Sequence, residues 1–145
     1  MVNPATQEIN ESHFQQLFDF VIEKARVQLE RKDSFYPFGA VVDDRLSVQS
    51  LDGHWSDDEP VIEELIQKLE VGGRAAIQLK GFPVVIIAVD VMVDFPSENP
   101  TEKRAAVEMR MFALDQLHKF YSLYEKRNNE YVFGELSPVS QLTPP

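Results

Sequence analysis

The chain has 145 residues, of which 43% are hydrophobic, 26% charged and 10% aromatic, the balance of a folded globular protein rather than a disordered, collagenous or low-complexity one. Against 14 basic side chains stand 24 acidic ones, a formal net charge of −10 that opposes binding to phosphate backbones, so no nucleic-acid partner is expected. There is no cysteine, which excludes disulfides, thiolate nucleophiles and thiolate metal sites.

Ser12 and Gln15 have the spacing of a capping box, and Phe14, Leu17, Phe18, Val21, Ile22, Ala25 and Leu29 then recur at steps of three and four. The spacing predicts an amphipathic helix over 12–32, with Glu23, Lys24, Arg26, Glu30 and Arg31 on its polar side. The run from Phe35 to Val42 is rich in strand formers and predicts a strand from about Phe38. After the polar turn Asp43-Asp44-Arg45, Leu46 to Leu51 completes a hairpin. Asp57 or Asp58 is expected to cap a second helix, with Pro60 in its first turn and Val61, Ile62, Leu65, Ile66 and Leu69 as its apolar stripe. Gly72-Gly73 would ordinarily stop it, yet Ala76 and Ile77 keep its phase, so helix is expected to about Lys80 in preference to a short strand with Ala75, Ile77 and Leu79 alternating.

Pro83 to Phe95 carries the strongest strand pattern, with Val85, Ile87, Val89, Val91 and Val93 on one side. Further strands are expected over 105–112, 117–124 and at Tyr131-Val132-Phe133, joined as a meander through the polar stretch at Asn128-Asn129. Consecutive strands without crossover helices imply antiparallel pairing. The expected fold class is therefore α+β, two-layer, in the order helix, hairpin, helix, meander, with two helices on one face of an antiparallel sheet of five or six strands. A flexible N-terminus over 1–11, one domain over 12–136 and an extended or disordered tail over 137–145 complete the expected organisation.

Phe35-Tyr36-Pro37-Phe38-Gly39-Ala40 follows a long helix and precedes a hairpin, a helix, the strand Ala88-Val89-Asp90-Val91 and a strand with Glu108. This order is similar to a pattern of small uncharacterised bacterial α+β proteins whose first strand opens with F-x-P-F-G/A. The resemblance covers roughly Phe14 to Leu136. It implies the same fold and carries no activity to transfer. The chain departs from the pattern at Asp43-Asp44-Arg45, where a glycine is usual.

Familiar chemistry is thin. The three histidines, His13, His54 and His118, lack the short spacings that place two ligands on one metal, and no G-x-S-x-G, Walker or dinucleotide glycine pattern occurs. No cofactor, metal or catalytic residue is expected. Asp43-Asp44 reads as turn chemistry rather than an acid–base pair. The sheet face away from the helices is more informative. If the odd-numbered valines face the helices, Asp90, Met92 and Asp94 face away, joined by Glu108, Arg110 and Phe112. The fifth strand then adds either His118, Phe120, Ser122 and Tyr124 or Lys119, Tyr121 and Leu123. Such a face, apolar upstream at Val84, Ile86 and Ala88, reads either as ordinary cross-strand pairs or as a contact surface, with Asp90, Met92, Glu108, Arg110, Phe112, Tyr121 and Tyr124 as its partner-binding residues.

The expectation is a non-enzymatic protein acting through protein contacts, most simply a homodimer, with masking of a basic partner, as toxin-neutralising proteins do, as a variant of the same idea. A rival reading is a small-molecule binding or hydrolytic domain whose pocket lies near 52–59, with His54, Trp55 and Asp57 as ligand-binding residues. The N-terminal sequence has no basic stretch followed by an apolar one, and the longest apolar run, Phe82 to Val89, is far short of the ~20 residues a spanning helix needs, so a cytoplasmic protein without membrane contact is expected.

Overall fold

The fold comes from a computed structural model that describes residues 10–51, 61–94, 103–113 and 116–138. The expected caps Asp57 and Asp58, the loop residues His54 and Trp55 and most of the two termini lie outside these residues. Among the described residues two helices, α1 (Glu11–Lys32) and α2 (Ile62–Lys80), accompany six strands, β1 (Phe38–Val42), β2 (Val48–Leu51), β3 (Val84–Asp94), β4 (Lys103–Ala113), β5 (Gln116–Arg127) and β6 (Glu130–Pro138). The strands form one sheet in the order β2-β1-β3-β4-β5-β6, every neighbouring pair antiparallel. The protein is thus α+β, with the meander expected from four strands in unbroken succession.

α1 begins one residue before the expected Ser12, because the cap is Asn10. Its side chain accepts from the N–H groups of Ser12 and His13, while His13 Nδ1 accepts from the N–H of Asn10 at 3.1 Å. The reciprocal logic of a capping box is kept, with Asn and His in place of Ser and Gln. Leu17, Val21, Ala25 and Leu29, one turn apart, are buried. The helix ends at Asp33, whose φ of 60° lets its N–H reach the carbonyl of Leu29 at 2.8 Å.

The β1–β2 turn does without a glycine. Asp43, itself buried, accepts from the N–H groups of Arg45 at 2.9 Å and Ser47 at 3.0 Å, and Leu46 takes the left-handed conformation with φ 63°. α2 runs unbroken to Lys80 and ends at Gly81, φ 72°. Gly73 does not stop it because the position faces the sheet: a Cβ there would lie 2.8 Å from Val85 Cγ1, so glycine is what lets helix and strand approach. Val61 is the N-cap, with no side-chain hydrogen bond.

The two helices do not share a face. α1 packs with Phe38, Ala40, Val42, Val84, Ile86, Ala88, Val107, Met109 and Met111, whereas α2 packs with Val41, Val85, Ile87, Val89 and Phe112. Along a strand, alternate residues point to opposite sides, so the sheet is covered on both and the arrangement has three layers, not two. The cause lies in β3, where every residue from Val84 to Val89 is apolar and buried. A strand of that kind needs a cover on each face. β2 and β3 are each antiparallel to β1 and hence parallel to one another, which makes α2 the crossover between them.

The sheet curls around α1, which touches β1 and both edge strands, β2 and β6. The bend sits at a register shift between Ser122 and Tyr124, where Ser122 Oγ donates to the carbonyl of Gly134 at 2.9 Å. Beyond it, Asn128 and Asn129, at φ 51° and 67°, make the two-residue turn that matches strand twist. α2 lies outside, on β1 to β4, leaving the outer sides of β5 and β6 uncovered by it.

Candidate functional site

Two polar clusters stand out, one on each side of the sheet. The outer one is centred on Glu108, whose carboxylate is buried where β4 passes beneath α2. Arg110 Nε donates to Glu108 Oε1 at 2.6 Å and its Nη1 to Glu70 Oε1 of α2 at 3.0 Å, while the Tyr121 hydroxyl donates to Glu108 Oε2 at 3.3 Å. Burial works against the charged guanidinium, but the hydrogen bonds and charge of Glu108 and Glu70 outweigh it and hold Arg110 more firmly protonated than usual. Burial first, and then the Glu108 charge, push the Tyr121 phenol up. Arg74 stacks over the Phe112 ring at 5.3 Å and seals the end of this cluster.

The inner cluster lies at the C-terminal end of α1. Tyr124 donates to Asp90 Oδ1 at 2.6 Å, and the N–H of Phe35 donates to Asp90 Oδ2 at 3.3 Å. Tyr131 donates to Asp33, and Lys126 Nζ lies 3.2 Å from the same carboxylate. The Tyr124 and Tyr131 rings meet edge to face at 5.9 Å. Burial, reinforced by Asp90, raises the Tyr124 phenol. The hydrogen bond to Asp33 is the main reason Tyr131 is pushed up to about 12, and the same bond, with help from Lys126, holds Asp33 below its ordinary value.

The seven residues expected on one face are therefore divided. Asp90, Met92 and Tyr124 are on the α1 side, and Glu108, Arg110, Phe112 and Tyr121 are on the α2 side. The register decides it: Val89 pairs with Glu108 and Asp90 with Val107, so Glu108 shares a side with the odd-numbered valines. The apolar stretch Val84, Ile86, Ala88 that asked for a partner is covered by α1. Phe112 is buried beneath α2, and Met92, 62% exposed, stands at the free end of β3.

Glu70, Asp33 and Tyr131 complete these clusters, and their sequence pattern gives no hint of it, since each meets its partner only through the tertiary fold. His13 is spent on the helix cap and His118 on Gln116 at 3.0 Å. Among the described residues no group of three His, Asp or Glu side chains is placed to hold a metal ion, and no helix is long and apolar enough to cross a membrane. His54, Trp55 and Asp57 lie outside the described residues. Comparison with known proteins adds no function: no family model, curated protein or solved structure matches the chain.

Proposed function

We propose that the protein acts through protein–protein contact, with the outer side of β5 and β6 as its contact surface and a second copy of the chain as the simplest partner. The observation that carries this reading is the wing that, among the described residues, no helix covers where α2 stops at β4. Leu117 and Val132 are 49% and 41% exposed there, beside the half-buried Tyr121 and Leu123. A hollow of about 450 Å³, lined by Arg104, Leu123, Glu125, Arg127 and Val132 among others, gives the wing relief. An apolar centre with charged residues around it is the composition of an interface patch.

Self-association fits the charges. With a net charge of −10, two copies repel at long range. On the wing, however, Arg127 stands against Glu125, Arg104 lines the same hollow and Lys119 lies farther back along β5, so a two-fold related copy can set each sign against its opposite. The same basic residues weigh against this wing receiving a basic partner. Of the seven residues read as partner-binding, Tyr121 and Arg110 border the wing and keep that role here.

Light scattering on the eluting peak of a sizing column tests the proposal. The expected result is a dimer at micromolar concentration that becomes a monomer in the double variant Leu117→Glu, Val132→Glu, both exposed positions whose change leaves the core intact. A monomeric native chain, or a dimer indifferent to the double variant, would overturn it.

A further inference from the structure

A separate feature lies across the sheet from the wing, at the point where β1 begins. β1 pairs with β3 only as far as Phe38 opposite Ala88, whereas β3 runs on to Asp94. Among the described residues no strand lies beside β3 on that side from Val89 onward. The notch is enclosed instead by the last turns of α1, the link from α1 to β1 and the first residue of α2, Ile62, and it forms a pocket of about 200 Å³. Its walls include Gln28, Lys32, Tyr36, Ile62, Val89 and Asp90. At ~30 Å³ per water the space equals roughly six or seven waters, the size of a small metabolite rather than of a drug-like molecule.

The chemistry of the walls selects among such molecules. Asp90 accepts two hydrogen bonds, from the Tyr124 hydroxyl at 2.6 Å and the Phe35 N–H at 3.3 Å, and both donors are neutral. A carboxylate has about four acceptor positions, so about half of its capacity is unused. No cation among the described residues pairs with it. Its orientation is fixed all the same, because the Tyr124 ring is held at 5.9 Å from both Tyr131 and Phe133. A half-buried carboxylate, rigidly aimed and without a counter-charge among the described residues, favours a bound ammonium. Lys32 lines the same pocket, its ammonium 5.7 Å over the Tyr36 ring, and it has no carboxylate partner among the described residues. Lys32 and Asp90 do not pair with each other, so the pocket presents a separated positive and negative charge over an apolar wall of Val89 and Ile62.

We propose that this pocket binds a small zwitterion of amino-acid size, its ammonium on Asp90 and its acid group at Lys32. This goes beyond the contact function proposed for the wing, and none of the residues that line the pocket lines the hollow of the wing.

Titration calorimetry and amide NMR on the full chain test it, with glycine, β-alanine and 5-aminopentanoate as probes and butylamine and butyrate as single-charge controls. At least one zwitterion is expected to bind roughly tenfold or more tighter than either control, the value of one further charge-assisted contact. Lys32→Ala, at an exposed side chain, should reduce that zwitterion to the affinity of the amine, and Asp90→Asn should abolish binding of both. The amide shifts should centre on Lys32, Tyr36 and Asp90. If Asp90→Asn fails to fold, Lys32→Ala and the shift map still decide. Zwitterions binding no tighter than the controls, Lys32→Ala binding as tightly as the native chain, or shifts falling elsewhere would each overturn the proposal.

Discussion

At Gly73 an added Cβ would lie 2.8 Å from a methyl group of the fully buried Val85, while at Gly72 it would meet nothing within 4 Å. The neighbours therefore respond oppositely to the same change. Gly72→Ala should stabilise the protein by about 1 kcal/mol, the difference in helix propensity, whereas Gly73→Ala should destabilise it by about 1–3 kcal/mol as α2 is pushed off the sheet. Urea unfolding of the two variants checks both signs. The hydrogen bond between Tyr131 and Asp33 makes a second prediction at this scale, because it needs a neutral phenol and an ionised carboxylate. Asp33 is held below its ordinary 3.8, so its contribution is present above that pH and is lost as pH falls through the folded value. Tyr131 is raised from 10.0 to about 12, so its contribution is complete below pH 10.0 and is lost as pH climbs toward 12. Tyr131→Phe should flatten both limbs of a plot of urea midpoint against pH. In the same variant the Asp33 carboxyl, followed by carbon NMR, should titrate closer to 3.8.

Between elements, the outer cluster joins α2 to the sheet by one arginine held between two acids. Arg110→Met leaves Glu108, only 7% exposed, without its cation and should cost about 1–3 kcal/mol in urea unfolding. Adding Glu108→Gln should restore part of the loss, since the buried charge is then gone, and a double-mutant cycle isolates the coupling. How far this cluster was legible follows from the strands that build it. The alternation of β3 and β4 is plain in the sequence, so Glu108, Arg110 and Phe112 are rightly placed together. What alternation lacks is register: shifting β4 by one residue against β3 exchanges its faces, and nothing local fixes which acid, Asp90 or the buried Glu108, lies under α2. Glu70 is harder still, because it reaches Arg110 from 40 residues away, by tertiary packing alone. The opposite placement of the helices, by contrast, was available to reading. Val84 to Val89 is apolar at all six positions, and a strand half open to water does not read that way.

For the whole molecule, the two helices are held very unequally. α1 has a side-chain cap and a C-terminal latch through Asp33, and it lies in the hollow of the curled sheet against residues of all six strands. α2 starts without a side-chain cap, carries two adjacent glycines and exposes Val71 and Leu79, and its contacts divide between two smaller clusters. Burying less apolar surface per turn lowers the free energy needed to open a segment. Opening α2 uncovers the outer side of β1, β3 and β4 but leaves the α1 side of the same strands packed. The sheet can therefore persist while α2 is detached. Native-state hydrogen exchange should show this order: α2 amides exchanging through a partial opening with a small dependence on denaturant, and α1, β3 and β4 amides exchanging only with global unfolding. Gly72→Ala should slow exchange in α2 without changing the slowest amides of α1 by more than the global gain. Identical exchange free energies in both helices would mean that the three layers unfold as one unit and that the outer helix is as firmly held as the enclosed one.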